Sequence, residues 1–183
     1  MTIRKLFFLF WTTCAIGTVT APVAGFILQE VFGDIGLNLV RQLWAGVMFG
    51  AVAQMGFFAY MVFNMVFTGF IRSRNLYQGL QLLVTGIILA NLFTLQPILA
   101  LTVLLFSLAV AWFKMKATNP HGFIPALFFM TAATTLEAIP SLSQPLVLIL
   151  LMVITLLVCN TWQIMQLHRL VDTAPMKHKE TSR

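Results

Sequence analysis

Apolar residues gather into six runs, at about 6–29, 43–68, 76–95, 98–113, 123–139 and 146–165, with polar and turn-forming residues confined to short stretches between them. A helix needs about 20 apolar residues to cross a hydrocarbon core of about 30 Å, so each run predicts one membrane-spanning helix. Helices rather than strands follow because a crossing in lipid must satisfy its own backbone hydrogen bonds. The expected fold is all-α: a polytopic bundle of six transmembrane helices in three hairpins over residues 1–167, followed by a basic, disordered tail at 168–183. The first hairpin turns between Glu30 and Arg41, the second at Leu95-Gln96-Pro97, and the third between Pro140 and Pro145. Pro97 suits a first helical turn, where its missing N–H is no loss. The fourth and fifth runs are short, about 16 and 17 residues, and predict crossings near the membrane normal or a locally thinned bilayer.

Charge orients this zigzag. Arg4, Lys5, Arg72, Arg74, Lys114, Lys116, Arg169, Lys177, Lys179 and Arg183 fall on one side, and Arg41 alone on the other. Short cytoplasmic loops retain Lys and Arg, so both termini are expected on the cytoplasmic side. Trp44 at the outer surface, with Tyr77, Trp112 and Trp162 near the inner charges, reads as a set of headgroup-depth anchors.

Composition narrows the class further. The chain is 60% hydrophobic with 9% charged residues, and six crossings leave no room for a sizeable soluble domain. The net charge of +6 is spread in twos at helix ends, a pattern of topology and lipid-headgroup contact rather than nucleic-acid binding. Residues 1–25 resemble a secretory signal, but the apolar run is long and Pro22 sits where the chain would bend, which favours an uncleaved first crossing. Cys14 and Cys159 lie inside apolar segments and make no disulfide framework.

Polar side chains within the crossings are the places where chemistry could reside, because each is costly in lipid unless paired. At 100° per residue, Gly46, Gly50, Gln54, Phe57, Met61 and Asn64 share one stripe of the second helix. Thr13, Gly17, Ala21 and Gly25 repeat at four-residue spacing on the first, and Arg74, Gln78, Gln81 and Thr85 share a side of the third. Small and amide residues pack most membrane bundles, so holding the bundle together is the simpler role for these stripes; a dedicated partner surface is the other. Glu137 is the one carboxylate inside an apparent crossing. A coupling-ion site or proton relay would use such a group; the simpler reading is a carboxylate at outer headgroup depth, solvated or paired with Arg41.

Catalysis has no support. Paired acids, a Ser/Lys or Ser/His couple, a phosphate-cradling glycine loop and a metal-ligand cluster are all missing from the sequence pattern, so no metal, no cofactor and no enzyme activity is expected.

The string Ala53-Gln54-Met55-Gly56-Phe57-Phe58-Ala59-Tyr60, followed by Gly69-Phe70-Ile71-Arg72-Ser73, resembles the KinB-signalling pathway activation protein (KbaA) family of endospore-forming bacteria. The opening Phe7-Phe8-Leu9-Phe10-Trp11-Thr12-Thr13 and Gly25-Phe26-Ile27 are similar in the same way, and the likeness is clearest over about residues 5–95. The resemblance implies an integral membrane positive regulator of a sensor histidine kinase that feeds the sporulation phosphorelay. It implies no catalytic residues, and offers Gln54, Met55, Gly56, Phe57, Phe58 and Tyr60 as a functional surface. Arg72, Arg74 and the tail would meet cytoplasmic kinase segments or anionic lipid. The rivals are a small transporter or solute sensor, with Glu137, Gln81 or Gln54 facing a wet cavity, and a structural subunit that only stabilises the kinase.

Overall fold

The computed structural model describes residues 3–171, apart from residues 34, 72 and 119. Six helices follow one another: α1 (Ile3–Phe32), α2 (Leu39–Phe70), α3 (Arg74–Leu95), α4 (Pro97–Ala117), α5 (Phe123–Ala138) and α6 (Leu146–Val171). Among the described residues there is no strand, and each helical segment is long and apolar enough to cross a membrane. Two of the basic sequence landmarks, Arg72 and the tail from residue 172, lie outside the described residues.

Local chemistry sets the boundaries. α1 ends at Gly33, whose φ of 86° is the left-handed conformation that a glycine adopts without a Cβ penalty. Asn38 caps α2: its Oδ1 accepts the Arg41 backbone N–H at 2.9 Å, satisfying a donor that the first helical turn cannot. α4 opens on Pro97, and α1 passes through Pro22 without interruption. The helices at the first hairpin extend past the apolar runs, so the connection there shrinks to residues 33–38. α4 reaches 21 residues, long enough to span. α5 remains short at 16 and is completed by a 3₁₀ turn at Ile139–Ser141.

The three hairpins stack as layers, and the last in sequence lies in the middle. α6 packs on α1, α2, α4 and α5, while α5 packs on α2, α3, α4 and α6. α5 and α6 are accordingly the most thoroughly buried helices. α1 and α2 flank them on one side and α3 and α4 on the other. One end of the bundle is knitted by side-chain hydrogen bonds between helices. Trp162 Nε1 donates to Thr12 Oγ1 at 3.2 Å, the Tyr77 hydroxyl bonds Asn64 Oδ1, and Gln78 Nε2 donates to the His121 carbonyl at 3.2 Å. Tyr77 and Trp162 therefore turn inward, correcting their assignment as headgroup anchors. Trp44 and Trp112 do face outward, with Lys116 Nζ 5.2 Å from the Trp112 ring centroid.

A buried polar seam between the second, fifth and sixth helices

Each small-residue stripe is consumed inside the bundle. Gly17 of α1 and Gly46 of α2 cross backbone to backbone, so close that a Cβ on either would strike the other's carbonyl oxygen. Gly50 lies against Thr13 and Cys14 of α1, and Gly25 against the Gln42 amide. These approaches let α1 and α2 come together along much of their length, the usual service of glycine in membrane helices. Cys14 and Cys159 are free and buried.

The same α2 stripe continues into the middle layer. Phe57 meets the Phe129 ring edge-on, with centroids 5.9 Å apart at 83°. Tyr60 packs on Phe129 at 4.8 Å. Gln54 is 2% exposed, and its Oε1 accepts from Gln163 Nε2 of α6 at 3.0 Å. Of the α2 residues singled out in the sequence, Gly46, Gly50, Gln54, Phe57 and Tyr60 thus point into the bundle. Gly56 and Phe58 are half-buried, and Met55 alone lies fully on the outer surface, 71% exposed. The buried five are not available to a partner outside the bundle, because the chain's own α1, α5 and α6 already occupy their face.

Glu137 is not at the outer surface. Its carboxyl group sits directly against Gly56, near the middle of α2, and its Oε2 accepts from Asn160 Nδ2 of α6 at 3.3 Å. The same Asn160 amide donates to Thr134 Oγ1 at 3.0 Å. Arg41 lies about 22 Å from Gly56 along α2, at about 1.5 Å per residue, and cannot pair with it. Helical side chains lean toward their own N-terminus, so a residue close to the end of α5 delivers its carboxyl group about one turn deeper.

The remaining sequence candidates are dispersed. Gln81 is buried on α3 beside Tyr77, Gln78 bonds the loop at His121, and Arg74 is exposed at the terminal end. None of them meets Glu137. Two residues of the seam escaped the sequence reading: Asn160 and Gln163. Two carboxamides three positions apart in the mainly apolar run of α6 were a readable signal, since that spacing puts both on one face. Lys114 gave no such signal. It is buried, and its Nζ donates to the Ile164 carbonyl of α6 at 2.9 Å, tying α4 to the middle layer.

Among the described residues no group of three or more His, Cys, Asp or Glu could hold a metal ion. Six apolar helices around a polar seam that is knitted by carboxamides and a single carboxyl group define a multi-pass helical membrane protein. Comparison with known proteins gives the family. The family model for KbaA, described as KinB-signalling pathway activation in sporulation, matches residues 16–170, and the chain belongs to that family. It is 26% identical over 189 aligned positions to the KinB-signaling pathway activation protein of Bacillus subtilis (strain 168), covering 90% of this chain and 96% of that one. The match extends well past the first three helices, where the residue-level likeness is clearest. No solved structure matches. The family is one of signalling-pathway activation, not of known enzymes.

Proposed function

We propose that this protein is an integral membrane activator of a KinB-type sensor histidine kinase, acting by lateral helix contact within the membrane, with both termini in the cytoplasm. Family membership supplies the pathway. The observation that carries the contact is the outward face of α2, opposite its locked inner face. Trp44, Met48, Met55, Val62 and Val66 are exposed and fall within about 40° of one another at 100° per residue. The spacing of 48, 55 and 62 is the seven-residue repeat by which a second helix packs in a left-handed pair. The polar seam fixes α2 against α5 and α6, so this stripe is presented on a rigid support. A contact that favours the kinase's active arrangement by about 1.4 kcal/mol shifts its population tenfold.

The transporter and solute-sensor alternative is weakened, because Gln54 and Gln81 are packed among side chains and Glu137 is seated on Gly56. A photoreactive amino acid at position 55, activated in sporulating cells, tests the proposal. Covalent capture of the KinB-type kinase is expected, with none from position 57 on the inner face. Capture of lipid alone from position 55, at normal levels of both proteins, would refute it.

A further inference from the structure

The Glu137 neighbourhood holds buried oxygens without a hydrogen-bond partner. Glu137, Asn160 and Thr134 together present two carboxyl oxygens, one carboxamide oxygen and one hydroxyl. The Asn160 amide is shared between Glu137 Oε2 and Thr134 Oγ1. Glu137 Oε1 and Asn160 Oδ1 are buried and have no partner, and Asn160 itself is wholly buried. Buried oxygens left unmatched beside a carboxyl group are uncommon, and in an apolar bundle each is costly. Charged and titratable groups on the surrounding helices do not fill the gap. α2 brings Tyr60, whose hydroxyl goes to the Pro125 carbonyl at 3.4 Å. α6 brings Cys159 and α1 brings Cys14, both buried thiols. Lys114 of α4 is engaged at the Ile164 carbonyl, one turn beyond Asn160.

We propose that Glu137, Asn160 and Thr134 form an intramembrane binding site for one monovalent cation, a proton or a sodium ion, between α2, α5 and α6. Positive charge is what a carboxyl group with one orphaned oxygen and an orphaned carboxamide oxygen share a need for. A proton would also supply one of the missing donors. With the Asn160 carboxamide turned end for end, its oxygen accepts from both a protonated Glu137 and the Thr134 hydroxyl. Sodium would instead be ligated by the carboxyl, carboxamide and hydroxyl oxygens, the donor set that hard cations take. Because the carboxyl group rests on Gly56, occupancy of the site sets how α2 seats on the middle layer. Cation binding here does not depend on the kinase contact; either can fail without the other.

The test uses the full-length protein purified in detergent, with thermal midpoints measured across pH in sodium or choline chloride at equal ionic strength. For a proton, the wild-type midpoint falls as pH rises, whichever salt is present, because deprotonation leaves an uncompensated charge in the bundle. For sodium, the midpoint rises with sodium at fixed pH. In either case Glu137→Gln removes the dependence. Superimposable dependences for wild type and E137Q would overturn the site. Should E137Q not fold, an apolar carbodiimide on the wild-type protein gives the answer. Protection of Glu137 by added sodium at fixed pH, or modification that persists at neutral pH where an ordinary carboxyl group is ionised, supports the site; modification confined to acid pH and indifferent to sodium, or no modification at any condition, overturns it.

Discussion

The Glu137 carboxyl group rests on the bare backbone of Gly56, and the two residues, eighty-one positions apart, hold α5 and α2 in register. A methyl group at position 56 would occupy the place of Glu137 Oε1. The backbones need not move, because the carboxyl group is the mobile end of its side chain, but it would leave Asn160. Gly56→Ala is therefore expected to lower stability by about 1–3 kcal/mol, as overpacking does. In a Glu137→Ala background the methyl group has room, and the same substitution should cost little. A coupling energy of about 0.5–3 kcal/mol from this double-mutant cycle, read by thermal or denaturant unfolding in detergent, is the expected result. Additive effects would show that the two residues do not meet.

The Gln54–Gln163 bond between α2 and α6 predicts a different kind of non-additivity. Each carboxamide is buried, so removing one strands the other. Gln54→Leu or Gln163→Leu alone should destabilise by about 1–3 kcal/mol, whereas the double substitution should approach neutrality. Unfolding of the three variants side by side checks this, and a double variant worse than the sum would contradict it.

How much of this was legible in the sequence follows from what each feature depends on. The six crossings and three hairpins depend on the hydropathy of contiguous residues and on turn chemistry at Pro97 and Pro140, and all of these can be read in one dimension. The inner faces of α1 and α2 were also legible, since Gly17, Gly46 and Gly50 advertise close approach. The layer order was not. Nothing in the run from 146 to 165 says that α6 must lie between α1 and α4, because lipid and a neighbouring helix make the same demand on an apolar side chain. Glu137 was misplaced for a related reason: position along a segment fixes where the Cα lies, whereas the carboxyl group leans a full turn deeper and needs a partner from α6 to be located. Lys114, counted as a topological charge, could be seen as an α4–α6 tether only once Ile164 stood beside it.

Glycines in this chain should separate into two groups on substitution. Gly17→Ala and Gly46→Ala place a methyl group against a carbonyl oxygen of the opposing backbone, with no side chain free to yield. Loss of folded protein in the membrane is the expected outcome. At Gly79 and Gly86, on the outer side of α3, an added methyl group would meet nothing within 4 Å. Alanine there should be tolerated or should stabilise by up to about 1 kcal/mol through helix propensity. Equal tolerance at all four positions, measured as folded yield and thermal midpoint, would contradict the backbone crossing of α1 and α2.

The two faces of α2 offer the sharpest separation of fold from signalling. Phe57 is wholly buried against Phe129, and truncating it to alanine should cost about 3–5 kcal/mol, with folded protein lost accordingly. Met55, two residues earlier, faces outward, where lipid can accommodate a larger side chain. Met55→Trp is therefore expected to leave membrane levels and the thermal midpoint unchanged, while reducing sporulation signalling because the bulkier ring disrupts helix-to-helix packing at the centre of the stripe. Met48→Trp and Val62→Trp, one heptad to either side, should act in the same direction, and a tryptophan at Leu105 on the outer side of α4 should not. Normal signalling in all three α2 variants, at wild-type abundance, would remove this face as the site of action and redirect attention to the end of the bundle that carries Arg74 and Lys116.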